Sequence, residues 1–147
     1  MADAVTINMT GAEELTDALK TFSKRYPDRA GEELRKDARR LRKEIVEKTK
    51  DLTKTSGQSK KSLGKIGSYK VSQVQGFGQG QYVELSAKSP HFHLVEEGHE
   101  LVTKSGNNIG FVQGRHMMRE AVKEHEGNIE KSVSLMLDGL LKEAGLT

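Results

Sequence analysis

The sequence predicts an α+β fold: an opening strand, two helices of which the second is long and basic, an antiparallel sheet of about three to five strands, and a C-terminal helix. Three observations carry this. Apolar residues recur at helical spacing from residue 12 to about 50 and again after Gly114. Between Leu63 and Leu101 they alternate with polar residues and are punctuated by glycine. The two helical blocks flank the strand block instead of interleaving with it, which argues against a parallel βαβ sheet.

Val5-Thr-Ile-Asn-Met alternates as a short strand and ends before Gly11. Leu15, Ala18, Leu19 and Phe22, with Tyr26 one turn on, form one helical stripe, and Pro27 is expected to stop that helix and open the next. In the second helix Ala30, Leu34, Ala38, Leu41 and Ile45 step by three or four residues through Arg, Lys, Glu and Asp, as far as about Lys50. A stripe so narrow buries one side only, and the helix is expected to lie across a sheet. Thr53 to Ser62 is polar and small and reads as a flexible loop.

Strands follow at Tyr69–Val71, reaching towards Val74, then at Tyr82–Leu85 and at Phe92, Leu94 and Val95, with Gly76-Phe-Gly-Gln-Gly80 as turn between the first two. Leu101-Val-Thr and Ile109-Gly-Phe-Val predict a second hairpin with its tip at about 103–109. After Gly114, Met117, Ala121 and Val122 and then Ile129 to Ala144 are helical, with Gly127 expected to kink or break the run. The whole, 1–147, reads as one domain.

Composition narrows the chemistry. With no cysteine among 147 residues there is no disulfide framework, thiolate metal site or cysteine nucleophile, which suits a reducing cytoplasm. Neither a secretory start nor an 18-residue apolar run is seen, so no membrane partner is expected. Leu, Ile, Val and Phe number 33, near the fraction at which chains stay disordered, and the core should be thin. Net charge is only +3 but divides unevenly. Up to Val83 there are 17 Lys or Arg against 11 acids, and beyond it 7 against 10, which favours head-to-tail contact between copies.

The densest cluster of chemistry-bearing residues is His91-Phe-His93-Leu-Val-Glu96-Glu97-Gly98-His99, with His116 further on. As a strand it would align His91, His93, Glu97 and His99 on one face, the donor set of a small metal-dependent hydrolase. No helix-borne pair of the H-E-x-x-H kind accompanies them, and an outward polar face is the plainer reading. His125 sits among charges and is expected to be solvated. No serine stands in a nucleophile turn, and the glycines at 76, 78 and 80 lack the following helix that would cradle phosphate. No catalytic residue, metal or cofactor is therefore expected. Lys54, Lys60, Lys61, Lys65 and Lys70 fall in an acid-free stretch, and a nonspecific DNA-binding module is the alternative they suggest.

Local motifs, in their order, resemble the neck and tail-completion proteins of long-tailed phages, the family typified by the gene-ten product of a lambdoid siphophage. The residues concerned are Gly11-Ala-Glu-Glu-Leu15, the loop Lys54-Thr-Ser56-Gly57-Gln-Ser-Lys60-Lys61-Ser62-Leu63, His93-Leu-Val-Glu96-Glu97-Gly98-His99, and Gly110-Phe-Val-Gln-Gly-Arg115-His116-Met-Met-Arg119. Leu52-Thr-Lys-Thr-Ser stands where the family has Pro-Val-Asp before Thr-Gly, and the late Arg-Pro-Phe form is absent. The resemblance implies a non-enzymatic virion protein, assembled in the host cytoplasm, in a ring between head and tail, hexameric by analogy with tail symmetry. Its partners would be copies of itself and neighbouring connector and tail proteins, with nonspecific contact to phage DNA. Contacts to neighbouring subunits or rings are then expected from Lys54, Ser56, Gly57, Lys60, Lys61, Glu96, Glu97, Gly98, His99, Lys104, Arg115, His116 and Arg119. Gly98 would take a backbone conformation closed to other residues, and the acids beside it would pair with arginines such as Arg115.

Overall fold

A computed structural model describes residues 11–50 and 63–147. The expected strand at Val5–Met9 and the loop bearing Lys54, Ser56, Gly57, Lys60 and Lys61 lie outside the described residues. Within them the chain is α+β, in the order α1 (Ala12–Thr49), β1 (Tyr69–Val71), β2 (Leu85–Ala87), α2 (Phe92–Glu97), β3 (Gly98–Val102), β4 (Asn108–Gln113) and α3 (Met117–Glu143).

The two expected N-terminal helices are one. α1 runs unbroken through Pro27 for 38 residues, about 57 Å. Proline removes one hydrogen bond to the preceding turn and normally ends a helix. Here Arg25 and Arg29, two residues to either side of Pro27, both grip the Glu143 carboxylate, at 2.9 and 2.7 Å. These exposed pairs join α1 to Glu143 on both sides of the proline.

Glu143 belongs to α3, which packs antiparallel to α1 and is its main partner; the sheet expected under the helix is secondary. A polar ladder fixes the register. Ser132 Oγ donates to Asp37 at 3.1 Å and accepts from Arg40 at 2.8 Å, His125 Nδ1 lies 3.0 Å from Glu44, and Lys48 reaches Glu124 at 2.9 Å. α3 is also unbroken, with open space around the Cα of Gly127. His125 is correspondingly not solvated: it is 1% exposed, inside the helix and against Glu44.

The small apolar core lies where the C-terminal end of α1 meets the start of α3. Ile45, Leu63, Tyr69, Met117 and Ala121 form it, with Phe92, Val95 and Leu85 packed against them. The Leu63 carbonyl accepts from the hydroxyls of Thr49 at 2.7 Å and Tyr69 at 3.0 Å, so the polar atoms that enter this core are satisfied.

Among the described residues the strands form two separate two-stranded ribbons, not one sheet. β1 pairs with β2 antiparallel, Tyr69 opposite Ala87 and Val71 opposite Leu85. The ribbon continues to a Gln75–Tyr82 bridge and the expected glycine turn. At Gly76, φ is +80°, and a Cβ would meet the Gly80 carbonyl oxygen at 2.2 Å. The ribbon lies along α1, where Val74 packs 3.2 Å from the position of a Cβ on Gly31. β3 pairs with β4 in the second hairpin, from Gly98 opposite Gln113 to Val102 opposite Asn108, with a bulge after Leu101.

The segment expected as a third strand, Phe92 to Val95, is helix α2 and separates the ribbons. A short apolar run does not distinguish a strand from a buried helix. Phe92, Val95 and Glu96, at i, i+3 and i+4, turn towards the core, and Phe92 meets Tyr69 edge-on at 6.2 Å.

Candidate assembly surface

The residues of the two late motifs converge on one junction. Glu96, at the end of α2, is 7% exposed, and its carboxylate accepts the backbone N–H groups of Met118 at 3.2 Å and Arg119 at 3.0 Å. These are orphan donors of the first turn of α3, so Glu96 acts as its cap from 22 residues away and places negative charge at the positive end of the helix. The N–H of Arg115 donates to the Val95 carbonyl at 2.8 Å, and that of His116 to the Glu96 carbonyl at 3.1 Å.

Close approach of the two backbones requires both glycines. A Cβ on Gly98, where φ is +88°, would lie 2.5 Å from the Val112 carbonyl oxygen. One on Gly114 would lie 2.4 Å from the Glu96 carbonyl oxygen. The expectation for Gly98 is met, and Gly114 is a partner that sequence reasoning passed over. His116 takes a left-handed conformation, with φ 48° and ψ 30°, at the start of α3. The acid–arginine pairing differs in its members: Glu97 reaches Arg119 at 3.5 Å, while Glu96 is committed to backbone N–H groups.

This junction leaves Glu96 and Gly98 as architecture. Glu97, Lys104, Arg115 and Arg119 are exposed, whereas His99 is half-buried with Nδ1 3.3 Å from the Leu94 carbonyl. The strand face that would have aligned His91, His93, Glu97 and His99 does not form, because 92–97 is helical. Among the described residues no three His, Asp or Glu are grouped to hold a metal ion.

What the junction projects is β3–β4. Every residue of β4 is exposed, and Leu101, Val102, Ile109, Phe111 and Val112 leave large apolar side chains open, Ile109 at 68% and Phe111 at 54%. The tip is ordered by its own bonds: Thr103 N–H donates to the Asn107 carbonyl at 2.9 Å, Asn107 N–H to the Thr103 hydroxyl at 3.1 Å, and Gly106 has φ +88°. Lys104 stands on this tip, exposed.

A second open apolar area lies at the other end of the molecule. The last bridge between α1 and α3 is at Arg25, and the first three turns of α1 run on beyond it. Leu15 and Leu19 are about half exposed there. Phe22 stacks on Tyr26 at 5.9 Å, and nearby Phe77, on the glycine turn, is 95% exposed. Sequence reasoning identified the Leu15–Leu19–Phe22 stripe, but not that it outruns its partner helix.

A groove of about 540 Å³ between α1 and α3 is lined by Arg29, Lys36, Glu44, His125 and Lys131 among others. It is walled by the polar ladder that joins the helices. No helix among the described residues is long and apolar enough to cross a membrane. No family model, curated protein or solved structure matches the chain.

Proposed function

We propose that this protein is a structural subunit of the neck or tail-completion apparatus of a tailed bacteriophage, assembling with copies of itself into a ring. The observation that carries the reading is the β3–β4 hairpin. A two-stranded hairpin is marginal in water on its own, and one that exposes five large apolar side chains on an anchored base is a surface made to be covered. The uneven charge of the two parts of the chain and its small core fit a subunit whose burial is completed by neighbours. The resemblance in the Glu96–His99 and Gly110–Arg119 motifs supplies the kind of ring, and the role is assembly without chemistry. The test is mass in solution by light scattering, alone and with the head and tail proteins encoded beside it. A ring predicts a multiple of 16.3 kDa that is constant over a range of concentration. A strict monomer under both conditions rejects the reading.

A further inference from the structure

Resting on the ring reading, we infer that the contact between adjacent copies is the β3–β4 hairpin of one copy laid on the overhanging first three turns of α1 of the next. The stripe Leu15, Leu19 and Phe22 continues, at steps of three and four residues, the side of α1 that carries Asp37, Arg40 and Glu44 towards α3. It therefore faces the α3 side of α1 beyond the last bridge, at Arg25. Gly78 of the glycine turn lies beside Phe22 and Tyr26, and its neighbour Phe77 is 95% exposed.

Dimensions and charge match. The overhang, Ala12 to Lys24, is about 20 Å long at 1.5 Å per residue, and the strands of five and six residues span about 17–20 Å. Glu14 flanks the leucine stripe near the free end of the helix, and Lys104 stands on the hairpin tip, both exposed, so a hairpin laid with its tip towards Gly11 brings opposite charges together. Symmetry gives the remaining argument. Pairing hairpin with hairpin, or overhang with overhang, covers one apolar area and leaves the other open. Laying the Ile109–Phe111 face of the hairpin on the overhang covers an apolar area at each end with a single kind of contact, and it is heterologous, as a ring requires. Leu15 lies about 45 Å along the helix axis from Ile45, beside which the hairpin is rooted, so the two areas belong to opposite ends of each copy.

Because the chain has no cysteine, the contact can be read directly. The full-length variants Leu15→Cys, Phe111→Cys and the double variant, each checked for an unchanged melting temperature, are treated with a short bifunctional thiol reagent, alone and with the neighbouring head and tail proteins. The double variant is expected to give a ladder of covalent multimers ending at the ring, and each single variant essentially none. Efficient dimers from Phe111→Cys or Leu15→Cys alone would establish self-paired patches and overturn the inference. Absence of a ladder from a preparation whose mass is that of a ring overturns the inference and leaves the ring reading standing. Absence of a ladder from a monomer in both mixtures removes both.

Discussion

Gly98 and Phe111 touch, yet they belong to regions governed by different rules. At the base of the hairpin, the Glu96–Gly98 and Gly114–Arg119 segments are so closely appressed that two Cα atoms have no room for a methyl group, and a buried carboxylate is tied to the helix α3. A few residues further out every side chain of β4 is exposed. The base is fixed by contacts that each cost stability to lose, while the outer strands contribute surface. The difference teaches that the motif most suggestive of chemistry, Glu96 to His99, serves as a mount that aims the hairpin, and that the apolar residues beyond it are what is mounted.

The sharpest way to break this division is at Gly114. In Gly114→Ala the new methyl meets the Glu96 carbonyl oxygen and the Glu97 carbonyl carbon, backbone atoms that cannot swing aside. A loss of about 3 kcal/mol or more is expected, as for overpacking against a rigid wall. That corresponds to roughly 10 °C in melting temperature for a chain of this size. A change within a degree by calorimetry would show that the junction relaxes freely and mounts nothing.

Next in size is the cap. Glu96→Ala removes two charge-assisted bonds from the first turn of α3 and leaves the space of a buried side chain, for an expected cost of about 2 kcal/mol. Glu96→Gln, which keeps an acceptor but not the charge, should fall between the two. Urea midpoints of the three proteins, with equal slopes, would place them in that order. Equal stability of the Ala variant and the parent would return Glu96 to the list of free surface groups.

Within the core the effect is smaller and depends on pH. Tyr69→Phe loses the bond to the Leu63 carbonyl, which keeps that from Thr49, and about 1 kcal/mol is expected. Burial pushes the Tyr69 hydroxyl above its usual pKa, outweighing the neighbouring Thr49 hydroxyl, which acts in the opposite sense. An unfolded tyrosine ionises near 10 and the folded one later, so the contribution is complete below about 10 and is lost as pH rises through the folded value. The alkaline fall in stability of the parent should therefore be shallower in Tyr69→Phe, measured as urea midpoint across that range.

Much of this arrangement was legible in the sequence because it rests on period and on turn chemistry. The α1 stripe through Ile45, the glycine turn at 76–80, the 101–112 hairpin and the positive φ at Gly98 all follow from local rules. What was not legible depended on partners distant in sequence. α1 continues through Pro27, where Arg25 and Arg29 both reach Glu143, 116 positions on from the proline, and no local rule contains that pairing. A kink or break expected at Gly127 hides that Met117, Ala121, His125, Ser132 and Leu140 are the buried residues of one continuous helix, so His125 reads from the sequence as solvated. The run at 92–97 is too short for its period to speak, and taking it as a strand created the histidine face that the helix dissolves. The exposure of Leu15 could not be seen at all, since a stripe of leucines looks the same whether or not a neighbour lies over it.

The smallest expected effect on stability bears most directly on the outer region. Ile109 is 68% exposed, so Ile109→Ser should change the stability of the isolated chain by less than about 0.5 kcal/mol, within a degree or two of melting temperature. The same substitution removes a large apolar side chain from the hairpin and should raise the concentration at which copies associate, read by sedimentation. A fall in melting temperature as large as that of Glu96→Ala would mean that the hairpin is held by the fold after all, and the mount and the mounted surface would be one region. A silent substitution in both measurements would move the contact off β4. Stability retained with association lost is the outcome that keeps the two regions distinct, because only a side chain turned away from its own fold can be spared by the monomer and missed by the assembly.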